Sequence, residues 1–580
     1  MPFAPSSRRP AGPSFLYLCL GLFFLSFTAT VHALAHSLQK PIEETRPAEQ
    51  GHWGRLTSAQ FSEETNRGQY HATNQSRSEA PAETLRDLLN ALHVMQDKYF
   101  VLWMGAWPTS IDWTAAVLGT HVAATLSSLT SRAPDVNNTA QEREASFIAL
   151  ENTVNHFFSH TTTFYFGENA FSIRNQAYDD MLWVVLDWLE NIKFQGLHTA
   201  LHYPTTSLVN STSKQAWHGT QFQDAAAHRS RIFYELASAG WDKTQCGGGM
   251  IWNPSLLPYK NAITNELYIS ASIAMYLYFP GDPIDAPFLA KEDSKKQYPH
   301  NPEHLKAAVD AYAWLKNSNM TGQGGLYADG FHITLTPGPP KCDVLNTMIY
   351  TYNQGVVLSG LRGLWLATGS QEYLNDGHDL IAKVLYATGW PQTSSTTWAG
   401  LGRGGVLEDA CDSHATCSQD GQSFKGIFFH HLAEFCLPLR PQEEQFLAGG
   451  TLRSGPNGTN EDWGEVYRRH LRQCNDYGPW IEHNALAALM TLDDDGKFGM
   501  WWGLPFRQTM ASTATVNSST LPVDAVDYRN DESNLDFSTE AVPRDFNDQG
   551  RGRTVETQSG GIAVLRALFQ WQTYNATHES

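Results

Sequence analysis

Several features are scarce in this chain of 580 residues. Basic residues are outnumbered, with 40 Lys and Arg against 59 Asp and Glu, and the formal net charge of −19 argues against nucleic acid or an anionic membrane as a partner. No phosphate-binding glycine motif and no Cys-x-x-Cys or closely paired Cys/His motif occurs. We therefore expect no nucleotide, no metal site and no other cofactor.

Long hydrophobic runs are also scarce, and a single segment near the start has the pattern of a targeting signal. Arg8 and Arg9 precede an apolar run from Phe15 to Phe27, and small residues follow that run, as they do before signal-peptide cleavage sites. Residues 1–35 are therefore predicted to be a signal peptide. The alternative is an uncleaved signal anchor, which would be the chain's one membrane contact.

Cysteine is sparse but fits export. Of the seven cysteines, Cys19 lies in the signal, and the other six suggest up to three disulfides in fifteen possible connectivities. Cys411 and Cys417 close a short loop and are the preferred local pair. Seven Asn-x-Ser/Thr sequons fit a glycosylated secreted protein. These sequons are at Asn74, Asn137, Asn210, Asn319, Asn457, Asn517 and Asn575.

Strand-like alternation is rare, whereas helical periodicity recurs from Glu83 onward. Residues 36–82 are polar and are predicted to be a linker without a core. Residues 83–580 are predicted to be a single all-α domain, an α/α toroid with long loops, and residues 493–550 have no further assignment. The candidate helices are 83–99, 111–128, 141–159, 175–192, 221–239, 261–278, 302–317, 348–368, 371–387, 423–437, 462–474, 483–492 and 554–573.

The helical run from Gln176 to Glu190 opens with two adjacent carboxylates, Asp179 and Asp180. On a helical wheel its apolar residues form one stripe, and Trp183 lies between the aspartates on the opposite, acidic arc. An indole among carboxylates suits stacking against a sugar ring. A solvated helix face, with acids serving the helix dipole, is the plain alternative.

Motifs elsewhere favour the sugar-binding interpretation, because six segments together resemble glycoside hydrolase family 76. The family's members act on α-1,6-mannan and include cell-wall proteins of the Dfg5/Dcw1 type. The resemblance spans roughly residues 105–490. The segments are Tyr178-Asp-Asp-Met-Leu-Trp183, Cys246-Gly-Gly-Gly-Met-Ile-Trp252, Tyr259-Lys-Asn-Ala-Ile-Thr-Asn265, Tyr327-Ala-Asp-Gly330, Thr351-Tyr-Asn-Gln-Gly355 and Glu408-Asp-Ala-Cys411 with Phe424-Lys-Gly-Ile427.

The resemblance implies an (α/α)6 barrel and a retaining mechanism. Asp179 would attack the anomeric carbon, and Asp180 would protonate the leaving oxygen. Asp180 should then have a raised pKa, whereas Asp179 should stay ionised. The residues implied to bind substrate are Trp183, Trp252, Asn261, Asp329, Tyr352 and Asn353. Lys425 is expected to pair with an acid or cap a helix rather than take part in catalysis.

The function expected from these features is a secreted mannan endo-1,6-α-mannosidase with mannan or manno-oligosaccharide as its partner. A cell-wall transglycosidase and a noncatalytic mannan-binding protein are the alternatives. The tail from Trp571 to Ser580 is not hydrophobic, so no GPI anchor is expected, and an extracellular or cell-wall location is predicted.

Overall fold

The computed structural model describes residues 74–132, 139–163, 176–203, 217–286, 298–334, 341–449, 462–504, 519–530 and 545–578. The predicted signal and most of the predicted linker lie outside these ranges. The described part is predominantly helical. Its helices are α1 (Asn74–Tyr99), α2 (Asp112–Thr130), α3 (Ala140–Thr163), α4 (Tyr178–His202), α5 (Gln223–Ser238), α6 (Ala262–Tyr278), α7 (Pro302–Asn317), α8 (Val356–Thr368), α9 (Glu372–Ala387), α10 (Gln419–Phe435), α11 (Pro441–Gly449), α12 (Trp463–Asp476), α13 (Gly478–Leu489) and α14 (Val555–His578).

Six helices form a closed inner ring. Around the ring, α2 packs on α4, α4 on α6, α6 on α8, α8 on α10, α10 on α14, and α14 back on α2. A second set, namely α1, α3, α5, α7, α9 and α13, packs outside this ring and alternates with it along the chain. The fold is therefore the predicted (α/α)6 barrel. Because an outer helix precedes each inner one, all six inner helices run in the same direction.

The inner helices are buried on nearly every side. In α6, a 17-residue helix, Glu266 and Asn265 are buried together with the apolar residues around them. The acidic arc of α4 is not the solvated face of the plain alternative, because Asp187 and Glu190, which belong to this arc, are 3% and 4% exposed. A helix of the inner ring has neighbours on both faces, so its polar arc lies in the protein interior and not in solvent.

Two small sheets interrupt the helices, although the sequence predicted almost no strands. β1 (Tyr259–Asn261), β2 (Gly330–Thr334) and β3 (Lys341–Asn346) form an antiparallel sheet in that order. β4 (Gly402–Arg403) and β5 (Val406–Leu407) form a two-residue ladder. Such short strands have too few residues to give a period-two pattern.

Three disulfides join the six cysteines outside the predicted signal. The predicted pair Cys411–Cys417 is confirmed. The other pairs, which the spacing left open, are Cys246–Cys342 and Cys436–Cys474. Cys246–Cys342 ties the glycine-rich loop before β1 to β3, on the side of the barrel where the inner helices begin.

Several boundaries differ from those predicted. Helix α1 begins at Asn74, so the last nine residues of the predicted linker are helical. The first buried positions of α1 are Thr84 and Leu88. Packing at these positions stabilises the helix, and the polar residues before them extend it toward the N-terminus. Helix α4 continues to His202, ten residues beyond the predicted end, and α11 was not predicted.

No described helix combines the length and apolar character needed to cross a membrane. The candidate signal anchor at the start of the chain lies outside the described residues.

Close contact between inner helices depends on small residues. A Cβ atom on Gly426 of α10 would lie 2.8 Å from the Cα atom of Gly560 in α14. We expect Gly426→Ala to lower the free energy of unfolding by about 1–3 kcal/mol, because backbone must move to admit the methyl group. Chemical denaturation of purified protein measures this change.

The matched control is Gly196→Ala on α4, where the new Cβ would lie 3.6 Å from its nearest neighbour, the Nε2 atom of Gln442. This variant should be as stable as the parent or more stable by about 0.5–1 kcal/mol, because alanine costs less helix-forming entropy than glycine. Equal destabilisation by both variants would contradict the close-contact argument.

Candidate active site

Carboxylates gather where the inner helices begin. Asp179 and Asp180 lie in the first turn of α4, Asp420 in the first turn of α10, and Glu556 in the first turn of α14. Free backbone N–H groups at helix starts favour negative charge. Side chains also join these starts, since Gln419 Nε2 donates to both carboxylate oxygens of Glu556 at 3.0 Å.

Asp179 is buried, with 4% of its surface exposed. Its Oδ1 atom accepts a hydrogen bond from the backbone N–H of Asp180 at 3.1 Å, and its Oδ2 atom lies 3.8 Å from an Arg529 guanidinium nitrogen. Burial raises the pKa of Asp179 to about 6, while the positive charge of Arg529 opposes that rise. The carboxyl thus titrates close to neutrality.

Burial thus raises the pKa of Asp179, the carboxyl that the sequence-based expectation kept ionised. Asp179 is buried, whereas Asp180 on the next position of the helix is half-buried. Successive helical side chains diverge by about 100°, which puts the two carboxyls in different environments.

Arg529 is the central cation of the site. Its side chain is 19% exposed, and its guanidinium lies over the Trp252 ring, 5.1 Å from the centroid. Its charge opposes the burial-driven rise in the pKa of Asp329 and of Asp420 as well as that of Asp179. No sequence pattern indicated this residue, because it lies in the unassigned stretch 493–550.

Asp329, one of the predicted substrate-binding residues, is 3% exposed. Its Oδ2 atom accepts from the Tyr259 hydroxyl at 2.5 Å and from Asn346 Nδ2 at 3.1 Å. Its Oδ1 atom has no hydrogen-bond partner among the described residues. One oxygen is therefore fixed by protein, and the other has unused acceptor capacity.

Trp252 is held beside the aspartates by the backbone. Its carbonyl accepts from the N–H of Tyr178, the residue before Asp179, and its own N–H donates to the carbonyl of Tyr259, both at 2.8 Å. The buried ammonium of Lys260 supports the preceding loop by donating to three of its carbonyls. These contacts fix the indole close to the start of α4.

Trp183 lies in a different setting from the one predicted. Only 4% of its surface is exposed, and its indole stacks on that of Trp113 at a centroid distance of 5.3 Å. Trp113 in turn donates from Nε1 to Asp420 at 3.0 Å. Trp183 therefore packs beneath the site and offers no open face to a sugar ring.

The three other predicted substrate-binding residues are also covered. Tyr352 stacks on Phe424 at 3.9 Å, and its phenol lies within the electrostatic influence of Arg529. Asn261 and Asn353 are fully buried, and their side-chain amides find no hydrogen-bond partner within the described ranges. All three lie in the walls of the site in this conformation, not on its accessible surface.

Lys425 pairs with an acid, as predicted. Its ammonium donates to both oxygens of Asp412 at 2.7 Å, inside the barrel. Asp409 lies next to this pair and accepts from Thr351 at 2.7 Å. Burial raises the pKa of Asp409 to about 7, with Lys425 opposing the rise. This cluster links the residues before α8 to the start of α10.

Two groups of side chains have the spacing of metal ligands in the described ranges: His378, His470 and Cys474, and Cys411, Asp412 and Cys417. Every cysteine in them belongs to a disulfide, so neither group provides a thiolate. His378 and His470 contact each other through ring nitrogens 2.9 Å apart. Neither group supports a metal site.

Adjacent acids where an inner helix of an α/α barrel begins, with an arginine beside Asp179 and an indole next to that arginine, resemble the carboxylate sites of glycosidases. A sequence profile of Glycosyl hydrolase family 76 matches residues 145–447, just over half of the chain. The chain belongs to this family. The match includes both aspartates and Trp252 but ends well before Arg529.

Two curated relatives carry the name Mannan endo-1,6-alpha-mannosidase DCW1. The Candida glabrata protein is 25% identical over 263 residues, covering 41% of this chain and 50% of the relative. The Saccharomyces cerevisiae protein is 26% identical over 212 residues, covering 35% and 38%. The chain thus spans half or less of the length of these relatives.

Solved structures are similar at lower identity. An inactive variant of the alpha-1,6-mannanase GH76A of Salegentibacter sp. HEL1_6, in complex with alpha-1,6-mannotriose, is 17% identical, with 84% of this chain and 99% of that chain covered and a TM-score of 0.45. Dfg5 from Chaetomium thermophilum, in complex with glucosamine, is 14% identical, with 87% and 93% covered and a TM-score of 0.47.

The raised pKa of Asp179 predicts a pH-dependent cost to stability. The folded protein holds this proton more tightly than the unfolded chain, so the cost is fully present above about pH 6 and falls as the pH drops toward 4. Asp179→Asn should raise the free energy of unfolding at pH 7 by up to about 3 kcal/mol, and by much less at pH 4. Denaturation at both pH values measures it.

Asp379→Asn is the control, because Asp379 is an exposed carboxylate on α9 whose side chain is 77% exposed. Its stability should follow that of the parent at both pH values. A stability gain for Asp179→Asn that is equal at pH 4 and pH 7 would contradict a titrating, buried carboxyl.

Proposed function

We propose that this protein is a retaining glycoside hydrolase that cleaves α-1,6-mannosidic bonds in mannan. The observation that carries the proposal is the pair Asp179 and Asp180 at the start of an inner helix, within a chain of family 76. Retaining glycosidases need two carboxyl groups in different roles. The buried and the half-buried aspartate have different environments, and the charge of Arg529 favours the ionised form of Asp179 that attack requires.

In the proposed reaction, the ionised carboxylate of Asp179 attacks the anomeric carbon. The bond to the leaving oxygen breaks as Asp180 donates a proton to that oxygen, leaving a mannosyl ester on Asp179. Asp180, now a base, takes a proton from water, and the resulting hydroxide oxygen attacks the same carbon. The ester bond breaks, Asp179 is ionised again, and the sugar leaves with its original configuration.

Substrate contacts are proposed for the half-buried Trp252 and for the buried wall beside it. Trp252 offers an aromatic face to a mannose ring. The unpartnered Oδ1 atom of Asp329 is buried and would accept a sugar hydroxyl where the wall opens. Tyr352 closes the wall beside them. Asn261 and Asn353, which are buried deeper, have unsatisfied amides that a sugar hydroxyl would satisfy if the wall opens.

The names of the curated relatives support mannan as the substrate, since they are called mannan endo-1,6-alpha-mannosidases. Three disulfides suit an oxidising compartment, and we propose that the protein works outside the cell or in the cell wall. Whether water or a second glycan accepts the mannosyl group depends on what reaches the ester, and transglycosylation is the alternative outcome.

Product analysis on linear α-1,6-mannan tests the proposed hydrolysis. The parent protein should release short manno-oligosaccharides with retained configuration, observed by NMR of the initial products. Asp179→Asn and Asp180→Asn should each lower the rate by at least about 1,000-fold, because each removes one of two interdependent groups. The exposed-site variant Asp379→Asn should keep full activity.

An added manno-oligosaccharide acceptor separates the two enzymatic outcomes. Elongated acceptor in place of free reducing ends would establish transglycosylation with the same two aspartates. A folded parent protein that neither cleaves mannan nor extends the acceptor would contradict the proposed function.

The two tryptophans should respond differently to substitution. Trp252→Ala should raise KM for manno-oligosaccharides by roughly tenfold, because a ring-stacking contact of about 1 kcal/mol or more is lost. Trp183→Phe should leave KM unchanged and lower the free energy of unfolding by about 1–3 kcal/mol, since Trp183 is packed in the interior. Steady-state kinetics and denaturation of both variants measure these effects. A raised KM for Trp183→Phe alone would reverse the two roles.

A further inference from the structure

The segment 519–530, which we call the strap, crosses the active-site end of the barrel. It lies outside the region that matches the family profile and inside the long stretch to which the sequence assigned no role. Val523 and Tyr528 on the strap are 84% and 58% exposed, whereas Arg529 is directed inward, to Asp179 and the Trp252 ring. The strap therefore has an outer side in solvent and an inner side over the acids.

One end of the strap is fixed to β3 and the residues after it. The side chain of Asn346 donates to the carbonyl of Val526 and accepts from the Val526 N–H, both at 2.9 Å. Thr347 donates from its hydroxyl to the carbonyl of Val523 at 2.6 Å. Since Asn346 also donates to Asp329, a single amide connects the strap to a carboxylate of the site.

The other end is fixed to the start of α10. Asn530 accepts from the N–H of Ser418 at 2.8 Å and from its hydroxyl at 3.2 Å, and Ser418 is the N-cap residue of α10. Asp527 accepts from the Tyr350 hydroxyl at 2.7 Å and from the N–H groups of Arg529 and Asn530. Arg529 thus projects from a segment held on both sides.

We propose that Arg529 is a positioning residue: its guanidinium, delivered by the strap, holds the Asp179 carboxylate in place and in its charged form for attack on the sugar. This inference rests on the proposed hydrolase function. The geometry behind it is the 3.8 Å approach of Arg529 to Asp179 together with the Trp252 ring beneath the guanidinium.

Charge balance explains why such a cation is needed. Asp179 lies in a largely desolvated space, and the negative charge of Asp420 adds to the burial that favours a neutral, protonated Asp179. Arg529 opposes this tendency at Asp179, and its charge acts in the same direction on Asp329 and Asp420. The titratable and charged groups around Asp179 and Arg529 come from several elements. They are Tyr178 and Asp180 on α4, Tyr259 on β1, Asp329 before β2, Tyr350 and Tyr352 before α8, Asp420 on α10, Asp527 on the strap, and Arg551, which acts on Asp420.

The pH dependence of kcat/KM on manno-oligosaccharides tests the proposal with Arg529→Gln and Arg529→Lys. In the glutamine variant the acidic limb should move up by about two pH units, so that activity at pH 5 falls by roughly 100-fold and is partly regained at pH 8. The lysine variant keeps the charge and should stay within about tenfold of the parent.

Arg468→Gln is the matched control, because it removes an arginine from the exposed side of α12, away from the site. It should keep the parent's pH profile. An unchanged acidic limb in Arg529→Gln, with equal activity loss at every pH, would overturn the proposal and leave Arg529 with a purely structural role. Equal loss in the lysine and glutamine variants would also overturn it.

A direct titration separates failure of this inference from failure of the proposed function. NMR of protein labelled at the aspartate carboxyl carbons, with the signal of Asp179 identified by its absence in Asp179→Asn, reports protonation without any substrate. The Asp179 signal should titrate at higher pH in Arg529→Gln than in the parent. If it does so while no mannan is cleaved, the proposed function fails and the electrostatic role of Arg529 stands. An identical titration in both proteins overturns the role of Arg529 whatever the activity.

Discussion

Closure of the inner helical ring is the constraint on which the rest of the structure depends. Six parallel helices enclose a common interior, and their buried faces can approach closely where glycine meets glycine, as at Gly426 and Gly560. Polar side chains that the ring encloses lose contact with water, and a partner inside the ring offsets that cost. Glu434 does so with Lys193 and Arg566, which hold its pKa well below the usual value although burial alone would raise it.

The two ends of the ring meet this requirement differently. Near the C-terminal ends of the inner helices, buried carboxylates have close cationic partners, as in the pair Arg362 and Glu443 at 2.9 Å. At the N-terminal ends, Asp179 and Asp329 share a single guanidinium, and one Asp329 oxygen has no partner in the described structure. Ion pairing stabilises the C-terminal end. At the N-terminal end, a carboxyl with a raised pKa and a carboxylate oxygen without a hydrogen-bond partner are features that suit catalysis.

The strap brings a cation to Asp179 from outside the region that matches the family profile. The residues that match the family profile provide the aspartates, the indole of Trp252 and the wall around Asp329. Arg529 comes from beyond that region and reaches the acids because Asn346 and Ser418 anchor the strap on either side. The acidic start of α4 and the Arg529 side chain of the strap are thus complementary in charge.

Much of this protein could be predicted from its sequence. Helical periodicity located most helices, the short Cys411–Cys417 spacing identified a disulfide, and the segments around Asp179, Trp252 and Asp329 indicated the family, because these features are local in the chain. Tertiary structure alone decided which side chains are buried and which charges meet. Trp183 packs under the site, Asp179 and not Asp180 faces inward, and Arg529 lies 350 positions from its carboxylate partner at 3.8 Å. Burial and long-range charge pairing depend on how the ring closes, and no local pattern encodes that closure.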